Sequence, residues 1–196
     1  MAITFKNNHF ILETKNTSYI FALYDGRFPV HLYYGEKTED YGQNSEQMDI
    51  PKHYRAFSPY YQKYGMVFSP DCALSECPFF GHGDFRTAAL KLRGPQGNCV
   101  THLEYEGYEI NNGRAEPAGL PSARADENTQ TLTVKMADPL TGCSLLLYYT
   151  VFPDKDIITR FFALINNGAQ PVKIEKAMSL TLDIETGDFD YIILHG

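Results

Sequence analysis

The sequence has little basic charge and no long apolar run, and these shortages exclude two classes of partner. No stretch approaches the roughly 20 apolar residues of a membrane-spanning helix, so we expect no membrane association. The formal net charge of −7 offers no basic surface to neutralise phosphates, which argues against nucleic acid as a partner. The first residues lack the charged start and apolar core of a secretion signal. We therefore expect a cytoplasmic protein that binds small neutral ligands or other proteins.

Motifs of several common enzyme classes are also missing. There is no Gly-x-Ser-x-Gly turn for a serine nucleophile, and Gly81-His82-Gly83 lacks the third glycine of a dinucleotide-binding loop. The four cysteines are Cys72, Cys77, Cys99 and Cys143. Their spacing does not match a zinc site, so we expect reduced, mostly buried thiols, no metal and no cofactor. His31, on a strand among apolar neighbours, is interpreted as half-buried with its hydrogen bonds satisfied.

The sequence is rich in aromatic residues, with 14 Tyr and 13 Phe, and such residues favour strands. Apolar side chains alternate with polar ones, and turn residues such as Asp25-Gly26 separate the apolar stretches at strand-length intervals. The strands predicted after residue 87 include 88–93, 100–105, 145–151, 157–165, 172–177 and 179–184. Gly94-Pro95-Gln96-Gly97 should join the first two, and Asn111-Asn112-Gly113 should close another hairpin. We expect one all-β domain over residues 1–196, an antiparallel sandwich of two packed sheets with few or no helices.

Two segments stand out as candidate sites. In the first, Phe79-Phe80-Gly81-His82-Gly83-Asp84-Phe85-Arg86, two glycines form a tight corner and the acid and arginine point to one side of a strand. Asp84 and Arg86 either lock this corner to the sandwich or contact a sugar or a second subunit. The second is an aromatic stretch, residues 54–61, which is either a functional loop or an ordered lid on the sandwich.

Paired carboxylates are a further candidate, because glycoside hydrolysis needs two of them. Asp183 and Glu185 would share one face of a strand, about 7 Å apart from the strand rise. Acidic residues at a strand end are more often merely solvated, so we favour that interpretation.

Several short motifs follow one another along the chain: Gly83-Asp84-Phe85-Arg86, Gly119-Leu120-Pro121, Thr131-Leu132, Tyr149-Thr150-Val151-Phe152, Ile158-Thr159-Arg160 and Asn166-Asn167-Gly168. This ordered series resembles the amino-terminal domain of glycoside hydrolase family 36 α-galactosidases. The resemblance covers nearly the whole chain. It implies a β-supersandwich that precedes a (β/α)8 barrel, and the barrel supplies both catalytic carboxylates of a retaining mechanism.

The resemblance also implies what the chain lacks. The barrel's Lys-Trp-Asp type motif cannot be placed, because the chain has no tryptophan. We therefore expect a non-catalytic first domain of an enzyme that acts on raffinose- or melibiose-type sugars, with no catalytic residue of its own. Its partners would be its own barrel, further copies of the chain in a homo-oligomer, and the galactoside substrate.

One sugar contact is implied as well. Family members place an acidic residue just before an Arg-Ala-Phe-Ser-Pro stretch, near a neighbour's active site. Here that stretch is Arg55-Ala56-Phe57-Ser58-Pro59 and Tyr54 precedes it, so Tyr54 and Arg55 are the candidate substrate-binding residues. The alternative function is a free-standing carbohydrate-binding β-sandwich, in which Tyr54, Tyr60 and Tyr61 would form a stacking platform.

Overall fold

The computed structural model describes residues 2–38, 73–81, 84, 86–183, 187–190 and 192–194. The strands of these residues are β1 Ile3–Lys6, β2 His9–Glu13, β3 Thr17–Tyr24, β4 Phe28–Glu36, β5 Leu90–Arg93, β6 Glu104–Asn112, β7 Gln130–Ala137, β8 Cys143–Phe152, β9 Ile157–Asn166 and β10 Lys173–Ala177. A single 3₁₀ turn, Pro153–Lys155, is the only helical element in the described parts of the chain. The expectation of an all-β fold is confirmed.

The strands of the described residues form three antiparallel sheets rather than the expected two. The orders are β1-β2-β3-β4, β6-β7-β8-β9 and a two-stranded sheet of β5 and β10. The predicted turn at Asp25-Gly26 joins β3 to β4, and both residues have positive φ angles, of 51° and 66°. Such angles match the right-handed twist of a hairpin. Across the described residues, no helix is long and apolar enough to cross a membrane.

Two predicted connections were wrong because the backbone groups there hydrogen-bond to residues that are more distant in the sequence. Gly94 to Gly97 does form a turn, with the Gly97 amide donating to the Gly94 carbonyl at 2.9 Å. However, β5 pairs with β10, and the chain after the turn is not a strand before Glu104. In that stretch the Thr101 amide donates to the Phe80 carbonyl at 3.2 Å, so its hydrogen bonds go to another loop.

The hairpin predicted at Asn111-Asn112-Gly113 is also absent. The Gly113 amide donates to the Thr129 carbonyl at 2.7 Å, which continues the ladder between β6 and β7, and the long segment 114–128 makes the connection. The strand predicted at 179–184 is not formed over residues 179–183. There the Thr181 carbonyl accepts a side-chain hydrogen bond from Arg160 instead of joining a ladder.

The core lies between the two four-stranded sheets, where alternate residues of facing strands meet. Leu132 and Val134 of β7 and Leu145 and Leu147 of β8 are all fully buried. Aromatic rings tie the sheets together, as where Phe21 stacks on Tyr149 with ring centroids 5.1 Å apart. This packing determines which side chains of β8 and β9 point inward.

At Gly81 an added methyl group would overlap with backbone atoms of a neighbouring segment. Its φ is 92°, and a Cβ there would lie 2.8 Å from Val100 Cα and 2.9 Å from the Cys99 carbonyl oxygen. Gly97 has a similar φ of 85° but nothing within 4 Å of a Cβ. We expect each alanine variant to lose about 1 kcal/mol from backbone strain, and Gly81→Ala to lose a further ~1–3 kcal/mol from overlap. Urea unfolding measures both, and equal losses would contradict the close contact.

Candidate functional site

The most unusual feature between the sheets is a buried charge on β9. Arg160 lies on the inward face of this strand, and its side chain is only 6% exposed. Opposite it runs the segment 73–81, which is fastened along β4: the His31 amide donates to the Leu74 carbonyl at 2.6 Å, and the Glu76 amide to the Pro29 carbonyl at 3.0 Å. This attachment directs the Glu76 side chain into the core.

Glu76 is surrounded by donors and has no exposed side-chain surface. The Tyr19 hydroxyl donates to the carboxylate, with both oxygens 2.8 Å away, and the Tyr149 hydroxyl donates to Oε2 at 2.7 Å. His31 Nδ1 lies 3.1 Å from Oε1, and Arg160 Nη1 lies 3.3 Å from Oε2. We call these five residues the Glu76 cluster.

Arg160 binds Glu76 through more than the carboxylate. Its Nη2 donates to the Glu76 main-chain carbonyl, and its Nη1 donates to the Thr181 carbonyl at 3.4 Å. The guanidinium also lies 5.0 Å from the centre of the Tyr149 ring, within cation–π range. Arg160 therefore connects β9 to the 73–81 segment and to the chain after β10.

Electrostatics fixes the charge state of the cluster. Burial raises the pKa of Glu76, but the Arg160 charge and the hydrogen bonds from His31 and Tyr149 outweigh it, so the pKa is lowered and the carboxylate is ionised. Burial, reinforced by the Glu76 charge, raises the pKa of Tyr19 and of Tyr149 well above the ordinary value, so both phenols stay protonated as donors. The ionised Glu76 carboxylate thus lies against the Arg160 guanidinium.

These shifts predict a stability that falls at both extremes of pH. The contribution of Glu76 is fully present above its ordinary pKa of 4.5 and is lost as pH falls through the lower folded-state pKa. The contributions of the tyrosines are present below their ordinary pKa of 10.0 and are lost as pH rises through the higher folded-state values. Urea midpoints measured against pH should show both losses. Glu76→Gln should flatten the acid side, and an unchanged acid slope would contradict the assignment.

The geometry of the Glu76 cluster is that of a structural link between β9 and the 73–81 segment. It is not the geometry of a catalytic carboxylate. Retaining glycoside hydrolysis needs two carboxyl groups about 5 Å apart on either side of an open sugar site. Glu76 is enclosed, and the side chains that contact it in the described parts of the chain are donors or a cation. Cys77, the next residue, is also buried. Burial raises the pKa of its thiol to about 11, so the thiol stays protonated.

The structure brings together Asp84 and Arg86 of the glycine corner. Arg86 Nε donates to Asp84 Oδ1 at 3.0 Å and Nη2 to Oδ2 at 2.8 Å, a bidentate pair. Arg86 Nη2 also donates to the Ala73 carbonyl at 2.5 Å. The pair therefore holds the start of the same 73–81 segment that carries Glu76.

Asp84→Ala should destabilise the domain by about 1–3 kcal/mol, because it removes the acceptor of three Arg86 hydrogen bonds. Thermal unfolding measures the loss. Glu116→Ala is the matched control, because that carboxylate pairs with Arg114 but is 67% exposed, and it should change little. Unchanged unfolding of Asp84→Ala, together with loss of activity in the full-length protein, would show that the pair serves function directly.

Most of the other candidate site residues lie in parts of the chain that the structure does not describe. Tyr54 and Arg55 lie outside the described residues, as do Tyr60, Tyr61 and Glu185. Asp183 is described, but it is not on a strand, so the same-face argument for a carboxylate pair fails.

Of the Glu76 cluster only His31 was considered from the sequence, as a half-buried residue with its hydrogen bonds satisfied. It does contact Glu76, but it is buried and not half-buried. A signal for Arg160 was available: it is a lone charge at an inward position of an otherwise apolar strand, and such a charge needs a buried partner. The sequence did not identify that partner.

Comparison with known proteins identifies the fold family. The profile described as "Glycosyl hydrolase family 36 N-terminal domain" matches residues 27–196. The chain belongs to this family. The match confirms the resemblance found in the motifs.

Family members similar to the chain are α-galactosidases. It is 36% identical, over all of its length, to the bifunctional α-galactosidase/sucrose kinase AgaSK of Mediterraneibacter gnavus, and it covers 21% of that protein. It is 31% identical, over 97% of its length, to α-galactosidase AgaA of Geobacillus stearothermophilus, and it covers 26% of that protein.

Solved family structures agree with the fold. The crystal structure of AgaB from Geobacillus stearothermophilus superposes with a TM-score of 0.82 at 29% identity, over 92% of this chain and 24% of AgaB. The galactosidase domain of AgaSK superposes with a TM-score of 0.83 at 33% identity, over 91% of this chain and 25% of that one. The chain thus corresponds to the N-terminal domain alone, about a quarter of these relatives.

Proposed function

We propose that the chain is the N-terminal domain of a longer, retaining α-galactosidase that hydrolyses terminal α-galactosides of the raffinose and melibiose class. The observation that carries the proposal is the similarity to α-galactosidases over the whole chain. The substrate class is supported by relatives: variants of AgaA have been crystallised with raffinose and with stachyose. We also propose a cytoplasmic location for this enzyme, as expected from the sequence analysis.

Within that enzyme we propose that this domain is non-catalytic and supports the catalytic part of its own chain. Glu76, which has no exposed side-chain surface, is neutralised by Arg160, and Asp84 is held by Arg86. Both carboxylates therefore have a structural role in this proposal. We further propose that the domain takes part in homo-oligomer contacts, and that Tyr54 and Arg55 contact the galactoside.

The test is to assay the full-length protein with raffinose, melibiose and a chromogenic α-galactoside. We expect all three to be cleaved, a matched β-galactoside to remain intact, and NMR to show α-galactose as the first product, since retention preserves the anomer. Failure to cleave any α-galactoside would refute the activity. Initial release of β-galactose would refute the retaining mechanism alone.

A further inference from the structure

Strand β9 has the sequence of an interior strand but the position of an edge strand. The sheet order β6-β7-β8-β9 leaves one side of β9 without a partner among the described residues. Its ten residues, IITRFFALIN, carry apolar side chains on both faces, a pattern typical of strands that are covered on both sides. Yet none of its apolar residues is buried here. Edge strands are usually short, charged or interrupted. β9 is ten residues long and continuous, and its single charged side chain, Arg160, points inward and is neutralised by Glu76.

The outward face of this sheet is divided into a polar half and an apolar half. On β6 and β7 it carries the exposed ion pair of Glu109 and Lys135. On β8 and β9 it carries Leu146, Tyr148, Phe161, Ala163 and Ile165, which we call the β9 patch. Tyr148 and Phe161 stack with ring centroids 4.6 Å apart, and Ile165 is 42% exposed. The patch contains no charged residue.

We infer that β9 is an interior strand of the full-length protein, and that polypeptide following this domain pairs with its open edge and covers the β9 patch. The inference rests on the proposed function, which makes this chain one part of a longer enzyme. The polypeptide needed is present in relatives, because the chain matches an N-terminal domain and covers only 21–26% of their length.

A second copy of the chain fits the surface less well. Pairing of two β9 edges would extend the sheet but leave the β9 patch uncovered on both copies. A later segment of the same chain can pair with the edge of β9 and also cover the β9 patch.

The test is hydrogen exchange of the full-length protein at the alternating β9 amides that point away from β8. We expect their exchange to be slowed on the order of 100-fold relative to an unstructured chain. Exchange near the unstructured rate would overturn the inference. Protection that appears only as protein concentration rises would overturn it too, because a second copy would then be the partner.

A matched pair of variants tests coverage of the patch in the same protein. Ile165→Glu places a charge on the β9 patch, and Leu140→Glu places one on an exposed turn of the same sheet, where Leu140 is 65% exposed. We expect Ile165→Glu to speed exchange of the outward β9 amides roughly tenfold or more and Leu140→Glu to leave it unchanged. Equal behaviour of the two variants would overturn the inference.

Activity assays on the same full-length protein distinguish a failure of this inference from a failure of the proposed function. An active α-galactosidase with unprotected β9 amides would refute the inference alone. Protected amides in a protein that cleaves no α-galactoside would refute the proposed function, and the partner strand would still be established.

Discussion

Replacing Glu76 with glutamine is expected to destabilise the domain by about 3–5 kcal/mol, because Arg160 would remain buried without a counter-charge. Arg160 has only 6% of its side chain exposed, so solvent cannot compensate for the lost carboxylate charge. The introduced side-chain amide would also turn donor hydrogens toward the hydroxyls of Tyr19 and Tyr149, which now donate to oxygen. The loss should be seen in urea unfolding and in hydrogen exchange of the β3 and β8 amides.

Glu109→Gln is the matched control for this substitution. Glu109 also pairs with a basic residue, Lys135, but its side chain is 55% exposed. Water screens such surface pairs, so the control should leave the free energy of unfolding nearly unchanged. If Glu76→Gln lost no more stability than Glu109→Gln, the Glu76 cluster would not stabilise the packing of the sheets.

Replacing Arg160 with methionine is expected to cost a similar ~3–5 kcal/mol, because Glu76 would then be the unpaired buried charge. The informative measurement is the double variant with Glu76→Gln, which buries no net charge. Its loss should be smaller than the sum of the two single losses by roughly 1–3 kcal/mol, since residues in one network are coupled. Strict additivity would show that the two side chains act independently.

The sequence predicted features set by neighbouring residues, but it did not predict contacts between distant residues such as those of the Glu76 cluster. Apolar stretches bounded by turn residues were enough to predict β8 and β9, because both signals come from residues close together in the sequence. The turn at Asp25-Gly26 was predictable for a similar reason, since its residues tolerate positive φ. Both features depend on neighbours in sequence.

Features that join distant parts of the chain were not predictable in this way. The partner of β5 is β10, and the partners of Glu76 lie on β3, β4, β8 and β9. Nothing local in the sequence specifies these pairings, which arise only when the two sheets pack. The hairpin wrongly predicted between β5 and the next segment has the same origin, because a turn sequence shows that the chain bends but not which strands pair.

The family was predictable from sequence for a different reason. Ordered motifs such as Ile158-Thr159-Arg160 and Asn166-Asn167-Gly168 resemble the family, and the first of them contains the buried arginine of the Glu76 cluster. The fold confirms that resemblance. The roles of Tyr54 and Arg55 remain predictions that only the full-length enzyme can test.

We propose above all that this chain supports an α-galactosidase without performing the chemistry itself. The most direct measurement compares galactose release from raffinose by the full-length protein and by residues 1–196 alone, at high protein concentration. We predict turnover by the full-length protein and none by residues 1–196, since no pair of carboxylates suited to retention is found in the described residues. Turnover by residues 1–196 that disappeared with Asp183→Asn would contradict the account.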